Sequence, residues 1–191
     1  MIVSLIGDPR EPIVSATRVL LELVPRALWT APEMPAKAIA HSDKGGEFET
    51  VCDGRTTLVN RTSNTDLVVA PLLTSKLTPA ELSLPRVGVL VFHPSLLPRH
   101  RGPDAIKAAF RAGETYTGAT WFWPTAEYDS GDICEQEVLE IEPGERPRDF
   151  YARAVIPSAL KLLGYALADI YAGHVRRRPQ RAEAMTYESR V

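Results

Sequence analysis

The stretch VGVLVFHPSLLPRHRGPD, residues 87–104, decides how this chain is organised. Its first six residues are apolar or glycine, and such a run predicts a strand buried on both faces, as in a parallel sheet covered by helices. The run ends at His93, after which repeated prolines keep the chain out of helix and sheet. In open parallel sheets, ligands bind beyond the carboxyl ends of the strands. We therefore expect His93 to lie at a ligand-binding crevice.

Further apolar runs predict the remaining elements of an α/β fold. Strands are predicted at residues 1–6, 27–30, 57–59, 66–70, 117–123 and 133–141, and helices at 11–24, 78–82, 104–111, 148–155 and 157–171. Strands that alternate with helices favour one doubly wound, mostly parallel sheet. Thr78 is expected to cap its helix. Pro157 has no amide hydrogen, so we expect it to break or kink the last helical stretch.

The composition is that of an ordinary globular protein. With 191 residues, 45% hydrophobic and a net charge of −2, residues 1–191 are predicted to form one domain. Residues 31–65 show no clear pattern, and the tail at 175–191 is expected to be extended and solvated. The charge disfavours nucleic acid as a partner, and no apolar run approaches the roughly 20 residues that span a membrane. We expect a cytoplasmic protein whose two cysteines form neither a disulfide framework nor a metal site.

An acidic turn, EYDSGD at residues 127–132, lies between two predicted strands. A carboxylate from this turn and His93 could together move a proton. Asp129 could instead bond its own turn, which is a common use of aspartate. If the two residues approach each other, we expect the carboxylate to raise the pKa of His93. Ser95 lacks the GxSxG context of a nucleophile, so we predict that it braces the loop.

Several motifs follow the pattern of a known family. They are His93-Pro94-Ser95-Leu96-Leu97-Pro98, Arg101-Gly102, Gly113-Glu114, Thr117-Gly118 and Asp129-Ser130-Gly131-Asp132-Ile133. On these residues the chain resembles the folate-dependent formyltransferase family, which includes methionyl-tRNA formyltransferase, glycinamide ribonucleotide transformylase and sugar N-formyltransferases. Within the family, the resemblance is greatest to the hydrolase domain of 10-formyltetrahydrofolate dehydrogenase. It implies a Rossmann-like catalytic domain, here without the C-terminal β-barrel domain that some members carry.

The resemblance also implies an enzyme that transfers the formyl group of 10-formyltetrahydrofolate to a small-molecule amine. His93 would polarise the formyl oxygen and Asp129 would relay the proton. No metal would be needed, because the folate carries the reactive group. Arg99, His100 and Arg101 could form a solvated charged face, which is the default for such a cluster, or line the pocket mouth, where the folate glutamate carboxylates would attract guanidinium groups. The residues implied to bind folate are Leu72, Leu73, Pro94, Leu97, Arg99, Glu127, Tyr128 and Asp132.

One position departs from the family pattern. Where the family has a catalytic asparagine, this chain has Val91. A valine cannot donate a hydrogen bond to an oxyanion, and the loss of one such donor costs on the order of 100- to 1000-fold in rate. Two alternatives therefore stay open beside transfer to an amine. One is hydrolysis with water as the acceptor, and the other is folate binding without catalysis. The sequence indicates neither the acceptor nor the oligomeric state.

Overall fold

The computed structural model of this chain describes residues 3–6, 10–28, 37–38, 51–52, 55–56, 66–73 and 76–188. The chain divides into two compact units, Met1–Val91 and Phe92–Val191. The strand predicted at residues 57–59 falls outside the described residues, as do residues 29 and 30 of another predicted strand.

The first unit is built on parallel strands. Its elements, in chain order, are β1 (Val3–Leu5), α1 (Pro12–Leu28), β2 (Lys37–Ala38), β3 (Val51–Cys52), β4 (Arg55–Thr56), β5 (Leu67–Ala70), α2 (Pro79–Ser83) and β6 (Gly88–His93), whose last two residues belong to the second unit. Strand β1 pairs in parallel with β2 and β5, and β5 pairs in parallel with β6. Strands β3 and β4 form a separate antiparallel pair. The strand predicted at residues 27–30 is wrong over 27–28, because the helical apolar spacing continues there to the end of α1.

Two features of the first unit agree with the sequence. Every residue of β5 is buried, as expected for a strand covered on both faces. Helix α2 begins with a capping box, in which the Glu81 amide donates to Thr78 Oγ1 over 3.2 Å. In return, the Thr78 amide donates to Glu81 Oε2 over 2.8 Å, so the capping box satisfies two of the amides that the helix start leaves without helical partners.

The second unit is built on an antiparallel pair of strands. Its elements are α3 (Ala105–Arg111), β7 (Tyr116–Phe122), β8 (Ile133–Glu140), α4 (Pro147–Phe150), a π-helical segment (Tyr151–Val155), α5 (Ile156–Tyr171) and a 3-10 turn (Ala182–Ala184). Strands β7 and β8 pair from Tyr116↔Glu140 to Phe122↔Ile133. The acidic turn connects these two strands. The protein therefore has both parallel and antiparallel strand pairs with helices between them, which confirms the predicted α/β class.

Pro157 does not end the last helix. The π-helical segment lies just before it, and helix continues to Tyr171. A π turn shifts the hydrogen-bond pattern by one residue, which accommodates a proline that has no amide hydrogen. The stretch Pro147–Tyr171 is, by length and composition alone, apolar enough to cross a membrane, a test that buried core helices also pass. One face of it packs on β7, where Trp121 Nε1 donates to the Ala159 carbonyl over 2.8 Å.

Candidate active site

His93 is the last residue of β6 and is only 6% exposed. Its Nε2 lies 2.7 Å from the carbonyl oxygen of His100, in the loop that follows the strand. A carbonyl oxygen can only accept a hydrogen bond, so Nε2 carries a hydrogen and donates it. Nδ1 is therefore the ring nitrogen that carries the lone pair when the ring is neutral.

The acidic turn brings a carboxylate to this nitrogen. Asp129 Oδ2 lies 3.6 Å from His93 Nδ1. The separation is longer than a hydrogen bond, but it is short enough for a charge interaction when the ring is protonated. The structure thus places together the histidine and the aspartate that the sequence singled out, and their catalytic roles stay a prediction.

Asp129 is held from two sides. Its Oδ2 accepts a 2.6 Å hydrogen bond from the backbone N–H of Gly102. Its carbonyl oxygen accepts a 3.0 Å hydrogen bond from Gln180 Nε2, which also donates to the Gly131 carbonyl over 2.8 Å. Asp129 has a φ of 46°, a left-handed conformation that is uncommon outside glycine. These hydrogen bonds stabilise the turn in that conformation.

The pKa of His93 is lowered from its ordinary value of 6.5. Burial is the largest cause, because removal from water disfavours the charged imidazolium. Asp129 and the hydrogen bond to the His100 carbonyl both act in the opposite direction, but they do not outweigh burial. Asp129 thus raises the pKa of His93 as expected, but burial, which the sequence does not show, makes the net shift downward. The ring is deeply buried, and its carboxylate partner is beyond hydrogen-bond distance.

The loop after β6 is held by a C-terminal segment, residues 180–188. The His100 amide donates to Thr186 Oγ1 over 2.7 Å, and the Arg101 amide donates to the Thr186 carbonyl over 3.0 Å. The Glu188 amide donates to the Arg101 carbonyl over 2.7 Å. Most side chains of this segment are exposed, as expected for a solvated tail, while its backbone pairs with the loop.

The charged residues of the loop have partners within the protein. The Arg99 guanidinium pairs with Glu114 and lies 5.9 Å from the centre of the Tyr116 ring. His100 is buried, with Nδ1 2.8 Å from Glu188 Oε1 and Nε2 3.1 Å from Glu114 Oε1. Arg99 is thus engaged on its own chain. The expectation that it meets folate carboxylates stays a prediction.

The other predicted site residues lie in different surroundings. Val91 is 6% exposed and stands two residues before His93 on β6, so the two side chains project from the same face of the strand. Leu97 is only 3% exposed, and its side chain lies within the core. The remaining residues implied to bind folate are half-buried or exposed, namely Leu72, Leu73, Pro94, Arg99, Glu127, Tyr128 and Asp132.

The sequence predicted the role of one polar side chain near the site but not that of another. Ser95 Oγ donates to the Arg99 carbonyl over 2.6 Å, so it braces the loop as predicted. Gln180 was missed, although it contacts the acidic turn directly. It stands in an arginine-rich tail with no apolar periodicity, and no local pattern marks it as part of a site.

Comparison with known proteins places the chain in a family. Residues 26–161 match the family model described as Formyl transferase. The matched segment contains β6, the loop that follows it and the acidic turn with Asp129. The chain therefore belongs to the formyl transferase family, which confirms the resemblance found in the sequence.

Individual relatives match part of their own length. The cytosolic 10-formyltetrahydrofolate dehydrogenase of Mus musculus is 35% identical over 123 residues, which cover 64% of this chain and 14% of that protein. The methionyl-tRNA formyltransferase of Chloroflexus aggregans is 35% identical over 117 residues, which cover 61% of this chain and 38% of that protein. The chain thus matches only 14% of the length of the dehydrogenase.

Solved structures share the fold. An N-formyltransferase from Helicobacter canadensis, in complex with folinic acid and dTDP-3-aminofucose, has a TM-score of 0.77 at 16% identity, over 100% of this chain and 71% of that one. HypX from Aquifex aeolicus, in complex with tetrahydrofolic acid, has a TM-score of 0.70 at 22% identity, over 97% of this chain and 29% of that one. At these identities the likeness shows a common fold, in agreement with the predicted class.

Proposed function

We propose that this protein transfers the formyl group of 10-formyltetrahydrofolate to a small-molecule amine. The observation that carries the proposal is the 3.6 Å approach of His93 Nδ1 and Asp129 Oδ2 at the end of β6. Both residues lie inside the segment that matches the formyl transferase family. The names of the dehydrogenase relative and the folate complexes of the structural neighbours support a folate as the donor.

The resting state of the pair sets its chemistry. Because burial lowers the pKa of His93, the ring is neutral near pH 7. Its Nε2–H is committed to the His100 carbonyl, so Nδ1 offers a lone pair toward Asp129. In this state the pair can accept a proton, and it behaves as one unit because the two groups interact closely.

Proton transfer through the pair fits formyl transfer. The donor supplies a formyl group on nitrogen. As an amine attacks the formyl carbon, its nitrogen must lose a proton, which the pair takes up. The resulting imidazolium of His93 keeps its Nε2–H bonded to the His100 carbonyl and is stabilised by the charge of Asp129. Its Nδ1–H donates toward the negative charge that develops on the formyl oxygen. When the bond to the folate nitrogen breaks, the pair returns the proton to that nitrogen.

A turnover assay tests this proposal. Conversion of 10-formyltetrahydrofolate to tetrahydrofolate is followed by absorbance, with a panel of small amines and amino sugars as acceptors. Wild type is compared with His93→Ala and Asp129→Asn, and folate binding is measured separately. We expect amine-dependent turnover in wild type and a loss of about 100-fold or more in each variant, with binding retained. Full turnover in the His93→Ala variant would refute the assignment.

Val91 favours a second candidate, hydrolysis of the same donor. Its buried side chain cannot donate a hydrogen bond beside His93, and the 35% identical relative is a 10-formyltetrahydrofolate dehydrogenase. Hydrolysis predicts formate release in water alone, with no dependence on amine. A Val91→Asn variant adds a donor at this position, and under the transferase proposal it raises amine-dependent turnover. Folate binding without turnover by any acceptor would support a non-catalytic role instead.

A further inference from the structure

We propose that Gln180 is a positioning residue for the His93–Asp129 pair, an inference that rests on the proposed function. The side-chain amide of Gln180 donates two hydrogen bonds to the acidic turn. One reaches the carbonyl of Asp129 over 3.0 Å, and the other reaches the carbonyl of Gly131 over 2.8 Å. Gln180 thus holds the backbone on both sides of residue 130.

The opposite end of the same amide is fixed by Arg101. Gln180 Oε1 accepts hydrogen bonds from Arg101 Nη2 over 2.6 Å and from Arg101 Nε over 3.1 Å. A guanidinium can only donate and a carbonyl can only accept, so the amide has one orientation that satisfies all its partners. Its oxygen faces Arg101 and its NH₂ faces the acidic turn. This complementarity makes Gln180 a rigid link between the loop and the turn.

That link joins the two segments that carry the pair. Arg101 precedes Gly102, whose N–H holds Asp129 Oδ2 over 2.6 Å. The loop therefore holds the carboxylate directly, and it holds the backbone of the same residue through Gln180. The left-handed φ of Asp129, 46°, is an unfavourable conformation that needs such support. Without Gln180, the carboxylate keeps its bond to Gly102, but the backbone at Asp129 and Gly131 loses the two hydrogen bonds that tie it to the loop, which allows Asp129 to shift away from His93.

A small shift matters at this separation. Burial lowers the pKa of His93 most, and the charges of the His100 ring and Arg101 lower it further, whereas the Asp129 charge and the hydrogen bond to the His100 carbonyl raise it. A displaced carboxylate stabilises the imidazolium less, and a misplacement of about 1 Å in a catalytic constellation can cost on the order of 100-fold in rate. Loss of Gln180 should thus affect both the rate and the proton affinity of the histidine.

The primary variant is Gln180→Met, which is neutral and of similar length but can form none of these hydrogen bonds. We expect kcat for formyl-donor turnover to fall on the order of 10- to 100-fold, while KM for the folate stays within about twofold. Arg181→Ala, an exposed neighbour in the same segment, is the matched control and should keep wild-type kcat. An unchanged kcat in Gln180→Met would refute the proposal.

A second readout does not depend on turnover. The pKa of His93 is measured by NMR titration, with His93→Gln used to assign the signal, and we expect a lower value in Gln180→Met than in wild type. If wild type shows no turnover, the proposed function fails, while this comparison still decides the role of Gln180. A fall in melting temperature with an unchanged pKa of His93 would mean that Gln180 only stabilises the fold, and would overturn the proposal.

The variant Gln180→Glu separates the two ends of the link. It keeps an acceptor for Arg101 but cannot donate to the carbonyls of Asp129 and Gly131. We expect its kcat to be reduced like that of Gln180→Met. Wild-type kcat in Gln180→Glu would show that holding Arg101 is sufficient, and would refute the positioning of the turn. This variant also gives a decisive kinetic result if Gln180→Met does not fold.

Discussion

The backbone N–H of Gly102 donates a 2.6 Å hydrogen bond to Oδ2 of Asp129, the same carboxylate oxygen that faces His93 Nδ1. The loop that follows the histidine therefore positions the histidine's own partner. A backbone donor is suited to this task, because it cannot change rotamer. The pair is defined by main-chain geometry as much as by its two side chains.

The first prediction concerns Gly102. Its φ is +93°, and an added Cβ would collide with the Glu188 carbonyl and contact the Tyr187 ring. Gly102→Ala should therefore lower the free energy of unfolding by about 1–2 kcal/mol for the backbone conformation. Displacement of the C-terminal segment adds on the order of 1–3 kcal/mol. Urea denaturation measures the total.

Gly113→Ala is the matched control for this experiment. Gly113 also has a positive φ, +66°, but an added Cβ there meets nothing within 4 Å. Gly113→Ala should therefore lower the free energy of unfolding only through the strained backbone conformation, by about 1–2 kcal/mol. Equal destabilisation by the two substitutions would show that the contact with the C-terminal segment does not restrict residue 102.

The second prediction concerns the charge of Asp129. Asp129→Asn keeps an oxygen that can accept from the Gly102 N–H but removes the negative charge that favours the imidazolium. The pKa of His93, already below 6.5, should fall further. NMR titration of the ring measures this shift, with the exposed Glu140→Gln as a charge-matched control. A higher pKa in Asp129→Asn would contradict the contact.

The third prediction concerns stability at acid pH. The pKa of His93 is lower in the folded chain than the ordinary value of 6.5, so below pH 6.5 the unfolded chain binds a proton that the folded chain resists. His93 therefore makes folding less favourable as the pH falls from 6.5 toward the folded-state pKa. Between about pH 7.5 and about pH 5, wild type should lose more unfolding free energy than His93→Gln. Parallel losses in the two proteins would contradict a lowered pKa.

The fourth prediction concerns Cys134, which is a free, buried cysteine on β8. Burial, aided by the neighbouring Glu135, raises its pKa to about 12. Because the thiolate is the reactive form, the native thiol should resist alkylation near pH 8. The test uses a Cys52→Ser background, in which labelling is compared with and without denaturant. Rapid labelling of the native protein would contradict this environment.

The sequence was sufficient for the parts of the fold that rest on local patterns. The apolar run into His93 predicted β6, and Thr78 predicted the start of α2, because each signal lies within a few residues. The acidic turn was also found, and with it Asp129. The helical stretch up to Tyr171 was predicted, but its continuity was not, because a π-helical segment before Pro157 accommodates a residue that normally breaks or kinks a helix.

The rest of the site depends on contacts between distant residues. Thr186 and the His100 amide are 86 positions apart, and Gln180 and Asp129 are 51 apart. No local sequence pattern includes both partners of either hydrogen bond. The sign of the pKa shift at His93 was also beyond the sequence. The sign depends on the balance between the burial of the His93 ring and its distance from the Asp129 carboxylate, and both quantities follow only from the three-dimensional structure.

The C-terminal segment has a consequence for the order in which the protein matures. A chain emerging from the ribosome contains His93, the loop and the acidic turn well before residues 180–188 are available. Until that segment docks, the loop lacks its bonds to Thr186 and the turn lacks its bonds to Gln180. The geometry around His93 can therefore be completed only after residues 180–188 have been synthesised. Nascent chains cut short before residue 180 should remain without a functional pair, however well their strands have formed.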